Sequence, residues 1–120
     1  GMAFHIRRLM RMTEQDWRRM KQREAVYADL AALPPLVLRT RRAGDFMQLP
    51  IGRKKLKEIL IDDKVPQEVR DRMPLLALAD TYEIFWIAGG RRSVLAPVTA
   101  SSTDILSIVC VKETMPNDEQ

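Results

Sequence analysis

The chain has one cysteine and one histidine in 120 residues, and only 6% of it is aromatic. A lone Cys110 excludes an internal disulfide framework. It sits in the apolar run Ile105 to Val111, where a buried thiol is the ordinary state and a nucleophile the exception. A lone His5 leaves no histidine pair for a metal ion and no base for Ser93, Ser101 or Ser102. No apolar run approaches the roughly 20 residues that a helix needs to cross a bilayer, so no membrane partner is expected. The early arginines are not followed by the hydrophobic stretch of a secretory signal. Gly89-Gly90-Arg91-Arg92-Ser93 lacks the Walker spacing and its Lys-Ser/Thr pair, and reads as a turn carrying exposed arginines. Asp62 and Asp63 are adjacent, so a helix splays them about 100° apart and spoils them as an acid-base pair. No catalytic residue is assigned, and neither a metal nor a cofactor is expected on this chain itself.

What the chain does have is positive charge in one place. The overall balance is mild, 20 Lys and Arg against 16 Asp and Glu, with a net charge of +4 and pI near 9.6. Between Leu36 and Leu60, however, seven positive side chains face two negative ones. Arg39, Arg41 and Arg42 lead into Gly44-Asp45, and Arg53, Lys54, Lys55 and Lys57 follow. Such density in an ordered segment points to phosphate backbones before small-molecule substrates.

The hydrophobic fraction of 46% is enough for the core of one modest domain. Thr13 can cap a helix running to Ala32, with Glu14 and Asp16 in its first turn and Pro34-Pro35 as its stop. A strand Leu36 to Thr40 and a turn Ala43-Gly44-Asp45 follow, then an irregular stretch from Phe46 to Gly52. The spacing predicts a second helix from Arg53 to Asp62 or Asp63 and a third from Gln67 to Arg72, with Pro66 in its first turn. Leu75 to Leu78 and Glu83 to Ala88 form a hairpin around Ala79 to Tyr82, and Ile105 to Val111 is the last strand. Phe85 and Trp86 should alternate across their strand, one in the core and one half-exposed. The expected class is α+β: a small mixed α/β domain whose short β-sheet is packed by a basic helix and a second short helix, preceded by an N-terminal linking helix. The corresponding boundaries are 1–35 for the linking helix, 36–112 for the domain and 113–120 for a polar, frayed tail.

On a helical wheel Leu56, Ile59 and Leu60 cluster on one side and Arg53, Lys54 and Lys57 on the other, with Lys55 on the flank. Arg39 and Arg41 are two apart on the strand and so share a face. Together they would make one patch that contacts phosphates without reading bases. A solvated charged face is the competing reading, and Asp45, Glu58, Asp62 and Asp63 could neutralise part of the patch. Few aromatics are placed to stack single-stranded bases, so an RNA partner would be a duplex or stem gripped at its ribose-phosphate edges.

An ordered series of motifs then carries a resemblance. Arg39-x-Arg41-x-x-Gly44-Asp45, Gly52-Arg53-Lys54-Lys55-Leu56-Lys57-Glu58, Asp63-Lys64-Val65-Pro66, Arg70-Asp71, Pro74-Leu75 and Ile84-Phe85-Trp86-Ile87-Ala88-Gly89 with Arg91 resemble the C-terminal domain of tRNA(Ile)-lysidine synthetases. The resemblance covers roughly Leu36 to Val111. It implies a noncatalytic domain that holds the acceptor stem of the tRNA(Ile) with anticodon CAU. A separate N-terminal catalytic domain of the parent chain, carrying a Ser-Gly-Gly-x-Asp-Ser pyrophosphate loop absent from these residues, would use ATP (with magnesium) and lysine to convert the wobble cytidine to lysidine. The parent would be a cytoplasmic ATP-dependent ligase, and a homodimer is a candidate assembly. The alternative is a structural interdomain module whose basic face packs on the catalytic domain. Carried over, the nucleic-acid-binding residues are Arg39, Arg41, Arg42, Arg53, Lys54, Lys55, Lys57 and Arg91, with Gly44-Asp45 shaping the turn. Leu56, Pro66, Pro74 and Trp86 look like scaffold. The sequence departs from the pattern at Ala43, where a proline often precedes Gly-Asp, and at Phe46, where an arginine often follows. Gly1 ahead of Met2 looks like an expression remnant, and the chain is expected to be a piece of a longer protein.

Overall fold

The computed structural model describes residues 2–112; the expected tail at 113–120 lies outside the described residues. The chain runs β1 (Met2–Leu9), α1 (Glu14–Arg19), β2 (Ala25–Asp29), a 3-10 turn (Leu30–Ala32), β3 (Leu36–Arg39), β4 (Phe46–Leu49), β5 (Gly52–Lys55), α2 (Leu56–Asp62), α3 (Gln67–Arg70), β6 (Leu75–Leu78), β7 (Ile84–Ile87) and β8 (Ile105–Lys112). The α+β class stands. The strands form two three-stranded antiparallel sheets, in the orders β1-β8-β2 and β3-β6-β7, and a two-stranded ribbon, β4-β5.

The β3-β6-β7 sheet is the middle layer because its strands are apolar on both faces. Leu75 and Ala77 of β6 point into a cluster with Met47 and Leu49 of β4 and Leu56, Ile59 and Leu60 of α2. Leu78 points the other way, into a cluster with Val26, Ala28 and Ile108 of the β1-β8-β2 sheet. A bulge sits opposite this alternation. Leu76 pairs with Trp86 and Ala77 with Ile84, so Phe85 is the extra residue. Phe85 and Trp86 therefore share one cluster and are both fully buried, whereas simple alternation would have exposed one of them.

The N-terminal third differs most from the sequence expectation. Thr13 does cap a helix, in a reciprocal capping box with Asp16, but that helix ends at Arg19. After a turn, Ala25 to Asp29 pairs with β8, and Asp29 caps the short turn Leu30–Ala32 through the Ala31 N–H. Local helix propensity loses here because a strand buries Ala25 and Tyr27 on one face and Val26 and Ala28 on the other. Residues 2–9 form an edge strand paired with β8 along its whole length, with Phe4 edge-on to Trp86 at 6.4 Å. His5 is thus a paired strand residue opposite Val109. The stretch 1–35, expected as a linking helix, contributes two strands to the main core.

The basic helix also changes form. Arg53, Lys54 and Lys55 lie on β5, paired with Met47 and its neighbours, and α2 begins only at Leu56. Gly52 takes φ +117°, a conformation that favours glycine, and turns the chain back along β4. The helical wheel holds from Leu56 onward, since Leu56, Ile59 and Leu60 are all buried.

Asp16 ties the N-terminal segment together. Its carboxylate accepts from the Thr13 N–H and hydroxyl, the Tyr27 hydroxyl and Arg7. Burial alone would raise its pKa, but the Thr13 and Tyr27 hydrogen bonds and the Arg7 charge outweigh that and leave it lowered. Asp16→Ala should cost roughly 1–3 kcal/mol at neutral pH. A carboxyl depressed in the fold stabilises fully above its unfolded value, near pH ~3.9, and loses that contribution as pH falls through the lower folded value. Urea titrations of both proteins should show the gap between them narrowing over that acid window.

Candidate nucleic-acid interface

Five cationic residues, Arg41, Arg42, Lys55, Lys57 and Arg70, line a concavity of about 590 Å³ beside the Ala43-Gly44 loop. Three elements converge to build it: the chain leaving β3, the β5–α2 junction, and α3. Arg39 sets the convergence. Its Nη1 and Nη2 donate to Asp45 Oδ2 and Oδ1 at 2.9 and 2.8 Å, with the side chains 8% and 1% exposed. Arg39 also donates to the Thr40 and Thr81 carbonyls. The same Asp45 carboxylate accepts from the Arg42 N–H at 2.7 Å, and the Asp45 carbonyl accepts from the Leu56 N–H that opens α2. Gly44, at φ +95°, lies against the Tyr82 ring. The loop is therefore wound around one buried carboxylate. Its hydrogen bonds outweigh desolvation and hold the Arg39 pKa above its ordinary value.

The other expected site residues fall into distinct environments. β3 ends at Arg39, so strand alternation does not carry Arg41 to the same face; Arg41 instead reaches Asp71 at 2.7 Å. Lys54 bonds Asp62, which lowers the pKa of that exposed carboxyl. Arg91 grips Asp63 through Nε and Nη2, and that hydrogen-bonded pairing raises its pKa despite partial burial. Arg92 turns inward. It donates to the Ser93, Tyr27 and Leu95 carbonyls over the Phe85 ring, and burial lowers its pKa. Phe46, the departure from the family pattern, carries the Arg53 guanidinium 3.8 Å above its ring. Among the described residues no ion pair joins Arg42, Lys55 or Lys57 to a carboxylate, and all three are exposed. Arg70 and Gln67 complete the concavity; Arg70 stands in the Arg70-Asp71 motif, where no local signal marks it as a site residue. Among the described residues no group of three or more His, Cys, Asp or Glu could hold a metal ion, and no helix is long and apolar enough to cross a membrane.

The family model for the TilS substrate C-terminal domain matches residues 36–100, from β3 through the loop beyond β7. The chain belongs to this family. The matched TilS segment contains every cation of the concavity. A tRNA(Ile)-lysidine synthase from Persephonella marina is 41% identical over 73 residues, covering 58% of the chain and 16% of that relative. One from Geobacter sulfurreducens is 44% identical over 78 residues, covering 62% and 16%. The chain thus spans about a sixth of the length of these curated relatives, each a synthase of the TilS family. A crystal structure of a TilS C-terminal domain superposes with a TM-score of 0.80 at 28% identity, over 96% of this chain and 87% of that one. An N-terminal fragment of the phenylalanyl-tRNA synthetase β-subunit from Pyrococcus horikoshii shares the fold at a TM-score of 0.59 and 16% identity, over 92% and 39%.

Removing Asp45 leaves a buried guanidinium without its partner. Asp45→Ala should destabilise the TilS domain by about 3–5 kcal/mol, read as a lower urea midpoint. Lys54→Ala, which removes the pair with the exposed Asp62 carboxylate, should leave the urea midpoint nearly unchanged.

Proposed function

We propose that this chain is the noncatalytic tRNA-recognition domain of a tRNA(Ile)-lysidine synthetase and that it grips the acceptor stem in the basic concavity. The observation that carries this reading is the wound Gly44-Asp45 loop, which brings Arg41, Arg42, Lys55, Lys57 and Arg70 to one hollow within the family-matched segment. Lysine and arginine so placed suit phosphate oxygens, which fix the position of a helix without reading its sequence. A stem is rigid enough to be held there while the CAU anticodon at the far end of the same tRNA enters the catalytic domain. In this reading that N-terminal domain of the parent chain uses ATP, with magnesium, and lysine to form the new carbon-nitrogen bond at the wobble cytidine, in the cytoplasm. This chain supplies position and no reacting group.

The second reading, an interdomain module, has its own observation. Leu38, 56% exposed, lines an apolar hollow of about 910 Å³ with Met2, Met73, Pro74 and Cys110. Such a surface suits the catalytic domain of the same parent, with a second copy of this chain as the other candidate occupant.

Binding of an acceptor-stem duplex should weaken steeply with salt. Lys55→Glu with Lys57→Glu should reduce affinity by at least about tenfold at low salt and lower the salt slope by about one per lost phosphate contact. Unchanged binding in a titration across salt concentrations would remove the stem reading. Leu38→Asp should leave stem binding intact and weaken capture of the catalytic domain when the two pieces are mixed.

A further inference from the structure

The β4-β5 ribbon connects the basic concavity to a second hollow. At its base Phe46 pairs with Lys55, which lines the concavity; at its tip Leu49, Pro50 and Ile51 line another cavity of about 430 Å³. Arg53 and Lys55 alternate with Lys54, so both stand on the outer face of the ribbon, about 7 Å apart. Both are exposed, and the Phe46 ring supports the Arg53 guanidinium. Lys54 points away and is bonded to Asp62. Two cations, Lys55 and Arg53, therefore run from the concavity along the outer face of the ribbon as far as the Gly52 turn, and the hollow opens round that turn, on the side of Leu49.

The chemistry changes at the tip. Met20 from the end of α1 and Pro50 and Ile51 from the ribbon form apolar walls, and Ile51 is 86% exposed although nothing in the turn requires an isoleucine there. The rim is cationic. Arg23 and Arg91 share one carboxylate, Asp63, at 3.6 and 2.6 Å, which leaves the rim with net positive charge, and Lys21 adds to it. The exposed side-chain amide of Gln22 offers both a donor and an acceptor at the edge. An apolar slot with a cationic rim and an amide at its edge suits a flat ring with polar edges that hangs from a phosphate.

We infer that the hollow at the ribbon tip receives an unpaired RNA base, from a strand whose phosphates lie along Lys55 and Arg53. The inference rests on the stem reading above and takes the stem to sit in the concavity with one strand end toward the ribbon. The base then comes from the single-stranded 3′ extension that follows an acceptor stem. Apolar side chains on either face of a base bind it without reading its identity, so the site would report that the end is unpaired and leave sequence to the Gln22 edge.

The test uses the 120-residue chain and three hairpin RNAs with one stem: blunt, with a short single-stranded 3′ overhang, and with the same overhang made abasic. The overhang should tighten binding by about twofold or more, below the roughly fivefold that a base stacked on an aromatic ring contributes at the least. The abasic overhang should lose that gain. Ile51→Asp, an exposed position where folding is not at stake, should remove the gain and leave the affinity for blunt RNA unchanged. Equal binding of blunt and overhung RNA overturns the inference and leaves the stem reading in place. A gain that survives the abasic strand, or survives Ile51→Asp, also overturns it. Failure to bind any of the three overturns the stem reading along with it.

Discussion

The geometry of the basic face depends on the ion pair between Arg39 and Asp45. Two charges taken out of water are costly, and their mutual attraction offsets that only with good geometry and further hydrogen bonds. Both are present here. The carboxylate accepts from both guanidinium nitrogens and the Arg42 N–H, and the guanidinium also reaches two backbone carbonyls. Four segments meet at this pair: the end of β3, the Gly44 loop, the first turn of α2 and the turn at Thr81. The loop is not held there by apolar packing alone, because it exposes Arg42, Ala43 and Gly44.

This arrangement divides the cations by task. Arg39 and Arg92 are internal, one on a carboxylate and one on backbone carbonyls. Lys54 and Arg91 hold α2 and the residue after it to the ribbon and the β7 turn through Asp62 and Asp63. Arg53 is propped on Phe46, so an apolar ring orients a neighbouring cation. The local positive field therefore rests on fewer side chains than the sequence count suggests, but those are held by a rigid frame rather than by a flexible helix.

The sequence was most legible where hydrophobic pattern and turn chemistry agreed. The strands Leu36–Arg39 and Leu75–Leu78, the Thr13 cap and the buried stripe Leu56, Ile59, Leu60 are all read from local residues. It was misleading where pairing with a distant strand decides the outcome. Ala25 to Asp29 has ordinary helix formers and becomes a strand because β8 is its neighbour. Met2 to Leu9 carries little alternation, since an edge strand leaves Ile6, Arg7 and Arg8 exposed. The β4-β5 ribbon was not legible: Phe46 to Gly52 reads as irregular and the run of lysines ahead of Leu56 favours a helix, whereas the structure pairs the two segments with Met47 and Leu49 turned to the core. In the candidate site the cations were legible as a group. Which of them would be consumed by Asp45, Asp62 and Asp63 was not, because those pairs depend on how the β3, α2 and β7 segments meet.

The position of β8 has a consequence for how the molecule is made. Among the described residues β8 is the last strand, and it is the middle strand of its sheet, so Met2 finds its partner at Lys112. Until residues 105–112 have left the ribosome, β1 and β2 lack the strand that both pair with. The segment that matches the family, by contrast, contains both flanking strands of its own sheet and the helix that packs on it. Synthesis thus delivers the core of β3 to β7 before β8, whose pairing with β1 and β2 is the slow, long-range closure.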